Sequence, residues 1–227
     1  MKARVFFVLL PLLAFTTACV AGDDSDSDSG MDKVNGSIHV EAGQAPQDAS
    51  TVNGSIRLAD GARVEDASTV NGSIKFGERA EAKSADTVNG SITLDNGARV
   101  TKGVESVNGA LTLAPGAEVG GNATNVNGHI SVNGAHVGGG LETVDGDIDV
   151  TGDARVDRGI LVHKPSEGWF HFGIDHVPVV TIGPGATVNG TLKFEREVKL
   201  YVSDKAHVGQ IVGATPVKFT GTEPPNG

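Results

Sequence analysis

From Val34 onward, apolar residues recur with two superposed periods. The short period is two: Ile38 and Val40, Ile56 and Leu58, Ile74 and Phe76, and Ile92 and Leu94 each flank one polar or charged residue. That alternation is the mark of a strand buried on one face. The long period is 18 or 19. Val-Asn-Gly returns with its asparagine at 35, 53, 71, 89, 108 and 127, then as Val-Asp-Gly at Asp145, and again at Asn189. The last interval, 44 residues, equals two periods plus an insertion of eight. Aligned on this motif, Val34, Val52, Val70, Val88, Val107, Val126, Val144 and Val188 form one column. Ile38, Ile56, Ile74, Ile92, Leu111, Ile130, Ile148 and Leu192 form a second, and Val40 through Val150 with Phe194 a third. Positions i, i+4 and i+6 share one face of an extended strand, which predicts that all three columns point inward. Gly36 and its equivalents stand at i+2, where a corner or a close backbone approach excludes a side chain. A further short strand follows each glycine turn, visible as Ala62 and Val64, Ala98 and Val100, Ala117 and Val119, Ala135 and Val137, and Ala154 and Val156.

Near-identity at a fixed short period is the signature of a solenoid, in which like stacks on like. The reading is an all-β fold, a single-stranded parallel β-helix (β-solenoid) of about ten 18-residue coils over residues 33–213. At one corner Asn35, Asn53, Asn71, Asn89, Asn108, Asn127, Asp145 and Asn189 are expected to form a structural ladder, each amide bonding the next. The rival is a meander of antiparallel hairpins, because Asn-Gly is a strong hairpin signal and Asp60-Gly61, Asn96-Gly97 and Asn133-Gly134 offer turns midway. Hairpin partners, however, have no need to match. The Val-Asn-Gly-Ser-Ile units resemble those of the bacterial putative-adhesin family of β-helix domains and, more loosely, the polymer-forming bactofilins. The resemblance implies a β-helix fold and a scaffold or adhesin-like role, and it supplies no catalytic residues.

The first 18 residues follow another pattern: Lys2 and Arg4, an apolar run from Val5 to Phe15, then Thr16, Thr17 and Ala18. This is the layout of a signal peptide, too short to span a bilayer as a mature helix. The chain's one cysteine, Cys19, follows directly and resembles the acylated cysteine of a bacterial lipobox, although Thr16 stands where leucine is usual. Cleavage after Ala18 without acylation is the alternative. Acylation implies a lipoprotein anchored to a membrane by palmitate-type chains. Val20 after the cysteine resembles the outer-membrane sorting pattern, periplasmic or surface-facing. Residues 19–32, with Asp23, Asp24, Asp26 and Asp28, read as a flexible acidic tether. Their spacing matches a calcium loop poorly, since glycine falls one place late at Gly30. Residues 214–227, with Pro216, Pro224 and Pro225, read as a C-terminal cap and tail that blunts one end of the ladder.

Composition narrows the function. Without Lys2 and Arg4 there are 16 basic against 28 acidic residues, so nucleic acid is excluded as a partner. Glycine, at 32 of 227, and aromatics, at 4%, do not describe a conventional core. No nucleophile elbow, His-Glu-x-x-His or phosphate loop is present, which argues against an enzyme and against a cofactor. Three breaks in the pattern remain as candidates. One is the insertion at 163–177, holding His163, Trp169, Phe170, His171, Phe172 and His176. Its aromatic residues suit a glycan, protein or lipid partner, or else a small satellite core. A zinc site from its three histidines matches no established spacing, and no metal is expected. Another is Asp145, which breaks the asparagine column 18 residues before His163 and is expected to pair with it. The last is the outward row His39, Arg57, Lys75, Thr93, Thr112, Ser131, Asp149, which runs from basic to acidic and suits staggered lateral association, weakened by solvent screening. The two functions in view are a non-catalytic envelope rod, scaffold or adhesin-like, and a protein that binds or cleaves polysaccharide through the aromatic insertion.

Overall fold

A computed structural model describes residues 31–165 and 176–225. These residues form an all-β solenoid of three parallel sheets. The first has ten strands, from Met31–Asn35 and Ala49–Asn53 through to Ile211–Val212. The second also has ten, from Ile38–Val40 to Val217–Phe219, and the third has seven two-residue strands, from Glu81–Ala82 to His207–Val208. Each coil contributes one strand to a sheet and pairs with the coil before and after it. The register is Ala49 on Met31 and Ala67 on Ala49, a step of 18, and Ala123 on Val104, a step of 19.

The interior is a set of stacked columns. Ile38, Ile56, Ile74, Ile92, Leu111, Ile130 and Ile148 are all buried, as are Val40, Leu58, Phe76, Leu94, Leu113, Val132 and Val150. The third side supplies Ala62 and Val64, joined to the third sheet by a bridge from Arg63 to Glu81, then Ala80 and Ala82, and the Ala-x-Val pairs from Ala98 and Val100 onward. The valine column of the Val-Asn-Gly motif does not join them. Val34 is 64% exposed and Val52 through Val144 are half-buried on the outer surface. The chain turns a corner at Asn-Gly, so valine and isoleucine lie on different strands and the two-residue alternation restarts between them.

In the first sheet the inward position next to the corner is instead polar, while the one before it is apolar, as at Ala49, Ala67, Ala85 and Val104. Thr51, Thr69, Thr87, Ser106, Asn125 and Thr143 are buried next to the corner. Most of them satisfy the corner beneath. Thr51 Oγ1 donates to the carbonyl of Gly36 at 3.1 Å, Thr69 to Gly54 at 2.9 Å, Thr87 to Gly72 at 3.0 Å and Ser106 to Gly90 at 3.1 Å. A corner breaks the sheet ladder, and a buried carbonyl left there without a donor costs free energy. One side-chain donor per coil meets that need.

The corner also explains its glycine. A Cβ on Gly54 would stand 2.1 Å from the carbonyl oxygen of Gly36, on Gly72 1.9 Å from that of Gly54, and on Gly90 2.0 Å from that of Gly72. The coil below fills the space of a side chain. A different constraint acts at the midway turns, where Gly61, Gly97, Gly116 and Gly134 have φ between 58° and 74°. Arg79 occupies the same turn at φ 54°, a conformation that costs a residue with a Cβ about 1 kcal/mol.

Two changes test this packing by urea or thermal unfolding. Gly72→Ala is expected to cost at least about 2 kcal/mol, because backbone must move to admit the methyl group. Thr69→Val keeps the volume and is expected to cost about 1–2 kcal/mol, the price of an unpaired buried carbonyl.

Candidate functional site at the base of the insertion

The insertion leaves the first sheet at Val162 and the chain returns to the second sheet at Val179, so it opens from the corner where other coils carry Asn-Gly. Below it the asparagine ladder is continuous. Asn53 Nδ2 donates to Asn35 Oδ1 at 3.1 Å, and the same bond recurs at 2.9 Å for Asn71 to Asn53, 2.9 Å for Asn89 to Asn71 and 3.0 Å for Asn108 to Asn89. The step from Asn127 to Asn108 has stretched to 3.5 Å. Asp145 comes next, and there the amide chain gives way to an ion pair.

Its partner is Arg196, not His163. Arg196 Nη1 donates to Asp145 Oδ1 at 2.8 Å and to the carbonyl of Val144 at 3.0 Å, while Nη2 donates to the carbonyl of His176 at 2.8 Å. The two side chains are only 15% and 16% exposed. A planar guanidinium can hold a carboxylate and two carbonyls at once, which an amide in a ladder cannot. Asparagine gives way to aspartate because the opposing residue is a half-enclosed cation. The pair ties the corner of one coil to the returning end of the insertion.

His163 binds elsewhere. Its Nε2 lies 3.3 Å from Glu142 Oε2 and its Nδ1 3.6 Å from Glu195 Oε2. The hydrogen bond with Glu142, opposed by partial burial, raises the His163 pKa above its ordinary value near 6.5. Glu195 is held below the usual carboxylate range, first by Lys193 Nζ at 2.5 Å. At the other end of the insertion, His176 Nε2 meets Asp147 Oδ1 at 2.9 Å, and the same oxygen accepts the Val179 N–H at 2.8 Å. Thus both ends of the insertion are pinned by a histidine and a carboxylate, with Arg196 between them.

Two charged rows run up to this base. On the outer surface of the first sheet Asp86 stacks on Glu105, and Glu142 follows two coils further on. Burial and then Glu105 push the Asp86 pKa up to about 6, and burial with Glu142 raises that of Glu105. On the second sheet His129 meets Asp149 at 3.3 Å, and the hydrogen bond raises the His129 pKa. Around that pair lies an open cleft of about 440 Å³, floored by Asp147 and Asp149 and walled by Thr222, Glu223 and Pro224 of the C-terminal segment.

Of the residues singled out from sequence, Asn35 through Asn127 form the ladder and Asp145 terminates it. Asn189 does not belong to it. Val188 stacks on Val156 in the third sheet, and Asn189 Nδ2 donates to Asp157 Oδ1 at 3.2 Å. Leu192 and Phe194 likewise stack on Ile160 and Val162 of the first sheet, while Val180 continues the Ile148 column. The insertion shifts the phase of the motif by one sheet, so the last Val-Asn-Gly sits at a different corner. Cys19, Trp169, Phe170, His171 and Phe172 lie outside the described residues. Among the described residues, no group of three or more His, Cys, Asp or Glu is placed to hold a metal ion. Arg196, Glu142, Glu195 and Asp147 carry no local motif. The one available signal was an aspartate in an amide column, which calls for a cation but does not say which.

No protein family, curated protein or solved structure matches the chain.

Two outcomes follow from the geometry of the base. Arg196→Met is expected to cost about 2–3 kcal/mol in equilibrium unfolding, less than a fully buried pair would, and Arg196→Met combined with Asp145→Asn is expected to recover most of it. The His163 contact stabilises most below its ordinary value near 6.5, where the imidazolium exists in both states, and is lost as pH rises through the raised folded value. The stability gap between the native chain and His163→Gln should therefore close with rising pH above that point, as melting curves across the range will show.

Proposed function

We propose that the chain is a non-catalytic rod of the bacterial envelope, held to the outer membrane by lipid on Cys19 through the acidic tether. The solenoid carries the aromatic insertion as its binding element. The observation that supports this reading is the contrast between the two parts of the rod. Over the first seven coils every turn is tight and the inward columns repeat, which gives a stiff spacer. In the eighth coil, between Gly159–Val162 and Val179–Ile182, the repeat is interrupted, and the interruption is secured by Arg196, Asp145, His163 and His176. These contacts hold together the two described ends of the stretch whose sequence contains Trp169, Phe170, His171 and Phe172.

The second reading keeps the same element and gives it a polysaccharide to bind or cleave. Aromatic residues stack on sugar rings, and Trp169 and Phe170 support binding. Cleavage draws less support, because the turns of the coils are tight and the cleft on the second sheet is walled by the C-terminal segment and not by long loops of the coils.

Two measurements test the proposal. In bacterial cells Cys19→Ser is expected to abolish incorporation of labelled palmitate and to move the protein from the membrane to the soluble fraction. Unchanged fractionation would remove the anchor from the account. Replacing residues 166–175 by a short Gly-Ser link is expected to leave the melting temperature of the rod within a few degrees of native and to abolish retention on isolated cell-wall sacculi or outer-membrane vesicles. A rod that melts on this replacement would make the segment part of the core.

A further inference from the structure

The outer surface of the second sheet carries its charge unevenly. His39, Arg57 and Lys75 stand in register on the first three rungs, Thr93 and Thr112 on the next two, and Ser131 and Asp149 on the sixth and seventh. Lys75 is paired with Asp95 at 3.2 Å and His39 with Glu41 at 3.0 Å. Arg57, between them, is exposed and its guanidinium has no partner among the described residues. Five rungs away on the same face lies the open cleft with Asp147 and Asp149 on its floor, against His176 and His129 respectively, and with Glu223, which has no ion-pair partner among the described residues, in its wall. At the usual spacing of parallel strands that distance is about 24 Å. At the two middle rungs the surface is low, with Ser91, Thr93, Ala110 and Thr112, while Lys75 with Asp95 on one side and His129 on the other are the longer side chains between the two features.

We infer that this face pairs with the same face of a second copy, antiparallel, about a two-fold axis that runs along the strands between the rungs of Thr93 and Thr112. Arg57 lies two and a half rungs to one side of that axis and Asp149 two and a half to the other. The rotation that places one copy's Arg57 over the other's cleft therefore does the same in reverse, so both contacts form together and the pair closes. Neighbouring positions agree. Lys75 faces Ser131, His129 faces Ser73 and Asp95 faces Ala114, with no like charges opposed, and His39 comes over the C-terminal segment with Glu223, which lines the cleft together with the buried Thr181. A parallel neighbour shifted by five rungs would also set Arg57 over Asp149, but it would leave one unmatched Arg57 and one empty cleft and would grow without limit. The pairing does not rest on the lipid anchor. It places the two copies of residue 31 at opposite ends, an arrangement suited to joining two surfaces.

The test uses residues 31–227, which contain every buried apolar side chain from Ile38 to Phe219. Sedimentation velocity over a wide concentration range is expected to show a monomer–dimer equilibrium that weakens as salt rises. Arg57→Glu and Asp149→Arg are each expected to weaken it by at least about tenfold, since each change acts twice in a two-fold pair. Both changes in one chain are expected to restore it. Circular dichroism melts check folding, and Arg57→Glu alone is a safe variant because that side chain is exposed and makes no hydrogen bond or ion pair among the described residues. A monomer at every concentration would overturn the proposal, as would a dimer indifferent to Arg57→Glu or a double variant no tighter than the singles. Polymers of indefinite length would overturn the two-fold arrangement.

Discussion

At each Asn-Gly corner the carbonyl oxygen of one coil occupies the place where the next coil would put a Cβ, about 2 Å from the ideal position. Almost everything else about the rod depends on that contact. A corner that admits no side chain brings successive backbones to their closest approach, and this sets the register of the strands on either side. Asparagine can then stand above asparagine and bond to it, and isoleucine can stand above isoleucine. The period keeps returning the same glycine over the carbonyl, and where it lengthens from 18 to 19 the extra residue is taken up away from the corner, between Val100 and Val104. The contact also explains why the motif is glycine at positions such as Gly54, Gly72 and Gly90 where φ is not positive: the cause is the neighbouring coil, not the local conformation.

The price of such a corner is an exposed ladder on one side and an interrupted one within. The outer end is met by the asparagine amides, the inner end by the hydroxyls of Thr51, Thr69, Thr87 and Ser106. At Asn125 the inner column changes from hydroxyl to amide. Its Nδ2 still serves the corner, donating to the carbonyl of Gly109 at 2.6 Å, but its Oδ1 is buried without a partner among the described residues. The outer ladder stretches at Asn127, one coil before Arg196 takes over at Asp145. Both polar columns thus lose their regularity just below the point where the insertion opens. The repeat gives way to specific ion pairs there because a single departure from the stack needs contacts that a repeating column cannot supply.

The columns of Ile38 and Val40, and the Ala-x-Val pairs of the third sheet, were readable from the sequence because each belongs to a strand with uninterrupted alternation. The valine of Val-Asn-Gly misled for a physical reason. It is apolar and periodic, yet the corner behind it restarts the alternation, and the true inward residue is a threonine whose burial is acceptable only because a carbonyl waits for it. Asn189 misled differently: the local motif is intact, but the insertion displaced it by one sheet, and no local pattern records which corner a motif occupies. At the candidate site the sequence marked Asp145 and His163 as irregular. Their partners Arg196, Glu142 and Glu195 come from coils above and below, and only the stacking brings them into reach.

That stacking is most directly measured as a distance along the rod. Spin labels on cysteines replacing His39 and Asp149, in residues 31–227 diluted with unlabelled protein, sit on outward positions six coils apart. One coil per repeat at the parallel-strand spacing predicts a distance of about 29 Å by pulsed electron resonance. A hairpin meander over the same sequence would place two strands per repeat and set the labels about 57 Å apart, a result that would contradict the solenoid and everything argued from it.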